Sequence, residues 1–105
     1  MRDWNFLTNH GRTLLLIAAD PHARLRDLAE TLGVTERTAF GLVADLTEAD
    51  YVVKEKEGRR NRYRIRTDLP IEDPATRDRT VGEIVDLLAE RRREPRGTVA
   101  DRATG

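Results

Sequence analysis

The sequence predicts a mainly α fold carrying one small β-hairpin, an α+β domain. Three observations predict it. An unbroken apolar run at 14–19 and two amphipathic patterns at 25–32 and 39–46 mark three successive helices. Residues 51–66 then alternate as strands around a turn rich in Gly and Asn. A last amphipathic stretch begins at Val81, directly after a helix-start signature.

Each element follows from its residues. Leu14-Leu15-Leu16-Ile17-Ala18-Ala19 puts apolar side chains on every face of a helix. A helix from about Asn9 to Asp20-Pro21 must therefore be buried on more than one side. Trp4, Phe6 and Leu7 precede it and are expected to pack back onto the core. Leu25, Leu28, Ala29 and Leu32 fall at i, i+3, i+4 and i+7, the spacing of one helix face. Gly33 follows where a left-handed residue ends a helix. Thr35 is placed to cap the next helix, whose apolar face is Ala39, Leu42, Val43 and Leu46, with Ala49 continuing it. Arg37, Gly41, Ala44 and Glu48 then face outward, flanked by Glu36 and Phe40. Asp50 ends that helix, and Tyr51-Val52-Val53 begins a strand.

Glu57-Gly58-Arg59-Arg60-Asn61 is turn chemistry. The return strand sets Tyr63 and Ile65 on one face and Arg62, Arg64 and Arg66 on the other. Residues 67–74, with Pro70 and Pro74, read as an extended connector. Thr80-Val81-Gly82-Glu83 is a capping-box pattern. It opens a helix with Val81, Ile84, Val85 and Leu88 on one side, closed by Pro95 and Gly97. Residues 1–75 thus form the main domain, 76–94 a C-terminal helix, and 95–105 a tail expected to be disordered.

Composition narrows the function. The chain has 105 residues, enough for one modest core. Charged residues make up 36%, high for an isolated monomer, so shared core with a partner would stabilise it. The absence of cysteine removes disulfides, thiolate metal sites and thiol redox sensing. No apolar run is long enough to span a bilayer and no signal peptide is visible, so a cytoplasmic, nucleoid-associated protein is expected. His10 and His22 lack a neighbouring ligand at metal spacing. No phosphate loop, nucleophile–base arrangement or metal site is present. Neither an enzyme nor a cofactor is expected.

Net charge is zero, but its distribution is uneven. Lys54, Lys56, Arg59, Arg60, Arg62, Arg64 and Arg66 crowd one hairpin against only Glu55 and Glu57. Two helices joined by Gly33-Val34-Thr35, followed directly by a basic hairpin, form a winged helix-turn-helix. In that motif the second helix enters the major groove N-terminus first, and the wing sets arginines against phosphates.

The stretch Arg24-Leu25-Arg26-Asp27-Leu28-Ala29 through Gly33-Val34-Thr35-Glu36-Arg37, then Asp45-Leu46-Thr47-Glu48-Ala49-Asp50-Tyr51-Val52, resembles the small MarR-like winged-helix regulators of bacteria and archaea. The wing Glu57-Gly58-Arg59-Arg60-Asn61-Arg62-Tyr63 is similar to theirs too, and the likeness runs from about residue 4 to about residue 90. The resemblance implies a homodimer on a pseudo-palindromic duplex DNA operator, with a small-molecule effector in many members. It assigns DNA contact to Thr35, Glu36, Arg37, Thr38, Phe40, Gly41, Arg59, Arg60, Asn61 and Arg62. It assigns the dimer interface to Trp4, Phe6, Leu7, Leu15, Val81, Ile84, Val85 and Leu88. A lone helix over 81–93 is marginal in water, and its apolar stripe needs cover. An effector pocket would lie between residues 4–19 and 80–93.

Several residues depart from the family pattern. Phe40 and Gly41 stand where polar or basic residues are usual. Arg24 replaces a Thr or Ser cap, with Asp27 as the compensating acid of the first turn. Asp50 replaces a Gly and must tolerate a left-handed backbone. Asp45, Glu48 and Asp50 would repel phosphates if they faced DNA. Two readings stay open. In one, Phe40 touches a thymine methyl, Gly41 allows close approach, and Glu36 and Arg37 read bases. In the other, the third helix presents an apolar patch to a protein, and the fold serves as an interaction module. RNA binding lacks support, because only five aromatics exist and no stacking platform is evident.

Overall fold

The computed structural model describes residues 4–89. The element order is α1 (Asn9–Ala19), α2 (Leu25–Leu32), α3 (Glu36–Glu48), β1 (Val52–Glu57), β2 (Arg60–Ile65) and α4 (Val81–Leu88). This is a winged-helix-like α+β fold: three helices, then a two-stranded antiparallel hairpin, then a C-terminal helix.

Helix α1 starts at Thr8, whose hydroxyl accepts from the Gly11 amide at 3.1 Å. From Leu14 to Ala19 no side chain is fully exposed, and Ile17 is completely buried. The apolar run therefore meets protein on several sides at once. The buried Thr13 donates its hydroxyl hydrogen to the Asn9 carbonyl at 2.7 Å, which removes the penalty of burying it.

Helices α2 and α3 end in the same way. At Gly33 the chain turns left-handed (φ 77°), and the Val34 amide donates back to the Ala29 carbonyl. At Asp50 φ is 69°, and the Tyr51 amide donates back to Leu46. Both closures satisfy orphan carbonyls through a left-handed residue. Glycine adopts that conformation freely, whereas aspartate does so at a cost. Ala49 is the C-cap of α3 and is exposed, contrary to its expected place on the buried face. The helix stops at Glu48, so its buried face ends with Ala39, Leu42, Val43 and Leu46.

The hairpin pairs Val52 with Ile65 through Glu57 with Arg60, leaving Gly58 and Arg59 as a two-residue loop. Positive φ at Gly58 alone is the φ pattern of a II′ turn. Asn61, expected in the turn, lies within β2. The outer edge of β2 is not open at Tyr63, whose amide donates to the Pro21 carbonyl at 2.9 Å. The α1–α2 connection thus runs beside the hairpin. Ile17, Leu28, Leu32, Ala39, Leu42, Leu46, Val52 and Tyr63 belong to one core shared by α1, α2, α3 and the hairpin.

Residues 67–74 are not the plain extended connector that their prolines suggested. Pro70 bridges to Thr80, the Ile71 amide donates to Arg79, and residues 74–78 turn between them. Thr80 and Glu83 form the capping box of α4. Helix α4 packs on α1 and ends at Leu88, with Ala89 already extended. The expected continuation through Arg91-Arg92-Arg93 and the tail at 95–105 lie outside the described residues.

Trp4, Phe6 and Leu7 do not pack back onto the core. They are 61%, 89% and 36% exposed. Thr8 caps α1 from an extended backbone, and the core is built from α1, α2, α3 and hairpin residues without them.

Candidate nucleic-acid interface

A groove of about 800 Å³ runs between the start of α2, one side of α3 and the hairpin. Its apolar lining comes from Leu25, Phe40, Val43, Ala44 and Tyr63. Its cations are Arg24 and Arg26 from the start of α2, Lys54 from β1, and Arg59 and Arg60 from the wing tip. Glu36 and Glu48 of α3 are the carboxylates among the lining residues. Thr47, Asn61 and His22 complete the polar set.

The arginines of this chain divide by location. Arg62 and Arg64 both pair with Glu55, at 3.5 and 3.0 Å, on the hairpin face opposite Tyr63. Arg66 pairs with Asp68, and Arg79 with Glu83. Among the described residues, Arg24, Arg26, Lys54, Arg59 and Arg60 make no ion pair. Arg12, Arg37, Lys56 and Arg77 are likewise outside any ion pair but lie away from the groove, so the groove is one place where an anion can reach several unpaired cations together.

Two histidine–carboxylate pairs brace the site. His22 Nε2 donates to Glu57 Oε1 at 2.6 Å, joining the α1–α2 connection to the end of β1. That hydrogen bond holds the Glu57 carboxyl below its usual range, helped by the charges of His22, Arg62 and Arg60. The His22 amide also donates to Asp20 Oδ1 at 3.1 Å, which fixes the loop that carries it. His10 Nε2 lies 2.8 Å from Asp45 Oδ2, joining α1 to α3. Asp45 is thereby held on the α1 side, and neither it nor Asp50 lines the groove. Of the three acids expected to oppose a phosphate, Glu48 alone lines it.

The predicted DNA-contact residues separate accordingly. Glu36, Phe40, Arg59, Arg60 and Asn61 meet around the groove. Phe40 is 60% exposed, so it is not a packing residue of the core. Arg37 is exposed but outside the groove lining. The Thr35 hydroxyl accepts from the Thr38 amide at 3.0 Å and donates to the Thr38 hydroxyl, so both side chains are occupied in starting α3. Gly41 is half-buried, and a Cβ built there meets nothing within 4 Å. No internal contact demands glycine. Arg62 is turned to the opposite hairpin face, where it shares the Glu55 carboxylate with Arg64.

Sequence reasoning missed Arg24, Arg26, Lys54 and His22 as groove residues. Arg24 gives α2 no side-chain cap, and the available signal was an arginine where a Thr or Ser cap is usual. The other three are gathered by tertiary packing alone.

The predicted dimer residues also divide. Val81 and Val85 are 3% and 2% exposed within the single chain, which already covers half of the expected stripe. Leu15 and Ile84 are half-buried. Trp4, Phe6, Leu7 and Leu88 remain on the surface, as does Leu87, which the helical pattern did not single out.

No helix among the described residues is long and apolar enough to cross a membrane. Among them, no three metal-ligating side chains converge. The chain matches no protein-family model and no curated protein. Its fold and groove define a winged-helix-like protein with a cationic cleft.

Proposed function

We propose that this chain is a sequence-specific regulator of transcription of the MarR-like kind, binding double-stranded DNA as a homodimer. Helix α3 enters the major groove, and the wing tip grips the adjoining backbone. The observation that carries this reading is the gathering of five unpaired cations in one groove beside the exposed side of α3. Phosphate contact supplies much of the affinity for duplex DNA, and arginine is well shaped for it. No catalytic role and no cofactor form part of the reading. A second copy would meet the exposed Trp4, Phe6, Leu7 and Leu88 rather than the covered Val81 and Val85. A cytoplasmic, nucleoid-associated location belongs to the same proposal, and a small-molecule effector is compatible with it.

Selection of bound sequences from a random duplex pool, with light scattering of the free protein, tests this function. Enrichment of a two-fold-related sequence by a dimer is the expected result. A folded protein that enriches nothing contradicts it.

The exposed Phe40 favours one second reading, a protein-interaction module that grips its partner in this groove. A partner lost on Phe40→Ala but retained when Arg59 and Arg60 are replaced would support that reading.

A further inference from the structure

We infer that α3 reads pyrimidines on the strand it faces: cytosine through Glu36, and thymine, by its methyl group, through Phe40 and Ala44. This rests on the groove being a duplex DNA site, and it adds which base edges the site accepts. Arg37, the obvious reader by charge, lies outside the groove lining. Glu36, Phe40 and Ala44 follow at i, i+4 and i+8 on the side of α3 that faces the wing. All three are exposed. Successive members therefore stand about 6 Å apart along the helix axis. On a helix lying along the major groove, residues three or four apart meet successive bases.

The chemistry of each position restricts its base. Glu36 lies in the first turn of α3, the end that reaches base edges in this motif. Among the described residues it makes no ion pair, so its carboxylate is available. A carboxylate in the major groove only accepts hydrogen bonds. It suits the amino group of cytosine and is repelled by the acceptor edge of guanine and by phosphate. Phe40 and Ala44 offer no polar atom beyond the backbone. In the major groove the complementary apolar feature is the thymine methyl. The five cations around them bear the phosphate load, so α3 can spend its exposed side on discrimination.

The test uses the full chain and a duplex enriched from a random pool, with each thymine of the half-site replaced in turn by deoxyuridine. Removing the contacted methyl should weaken wild-type binding about fourfold, the value of one buried methyl. Phe40→Ala should bind the two duplexes equally. Glu36→Gln should move the preference at one position per half-site from cytosine toward adenine, since an amide both donates and accepts. Both side chains are exposed, so the variants should stay folded, which circular dichroism checks. Duplex binding that falls with salt yet ignores every deoxyuridine and cytosine replacement overturns this inference and leaves the proposed function standing. No duplex binding at any salt overturns both.

Discussion

His22 Nε2 stands 2.6 Å from Glu57 Oε1 and ties the α1–α2 connection to the last residue of the wing's first strand. The Tyr63 amide donates to the Pro21 carbonyl at 2.9 Å between the same two segments. Together they hold the wing at a set angle to the helices. Glu57 is the member whose titration the bond displaces. Its folded-state pKa lies below the usual 4.5, through the His22 hydrogen bond first and the neighbouring charges after it. A depressed carboxyl pKa stabilises the fold above the unfolded value, and that contribution is lost as pH falls through the folded value. Glu57→Gln should therefore melt slightly below wild type near neutral pH, and the gap should close as pH drops beneath 4.5. Paired melting curves across that range check it. The gap stays small because the pair is exposed.

Two helical glycines should respond oppositely to alanine. A Cβ on Gly82 would sit 2.9 Å from both Cβ and the carbonyl oxygen of Thr67, whose oxygen also accepts the Gly82 amide. Gly82→Ala should destabilise by about 1–3 kcal/mol, because α4 must lift from residue 67. Gly41 has open space, so Gly41→Ala should stabilise by about 1 kcal/mol through helix propensity. Chemical denaturation of both variants decides the matter.

Asp50 closes α3 in a conformation that favours glycine. Asp50→Gly should raise stability by about 1 kcal/mol, and Asp50→Ala should lower it. The Tyr51 to Leu46 hydrogen bond should slow amide exchange at Tyr51 more in the glycine variant than in wild type.

Much of this fold is legible locally. The Thr35 cap, the Thr80–Glu83 box, the left-handed Gly33 and the strained Asp50 each depend on a few neighbouring residues, and each can be read from them. The site is less legible because it is assembled by packing. Arg24, Arg26 and Lys54 join the wing tip only once α2 and the hairpin have closed on α3. Asp45 leaves the groove because His10, 35 positions earlier, holds it. Trp4 and Phe6 satisfy every compositional rule for burial and still stand outside the core.

Pairing should sort the wing arginines by function. Arg62 and Arg64 are held by Glu55 on the face away from the groove. Replacing both with alanine should weaken duplex binding less than replacing Arg59 and Arg60, because both face away from the groove and share the Glu55 carboxylate. Fluorescence anisotropy with one labelled duplex measures this.

The central claim is that the unpaired groove cations bind the phosphates of duplex DNA. The most direct measurement is the salt dependence of the duplex binding constant for wild type and for Arg59→Ala with Arg60→Ala. Each phosphate contact contributes about −0.9 to the slope of log K against log salt. The double variant should bind all duplexes more weakly, with a slope about 2 units shallower per protomer. An unchanged slope, with the protein folded and binding, would contradict the account.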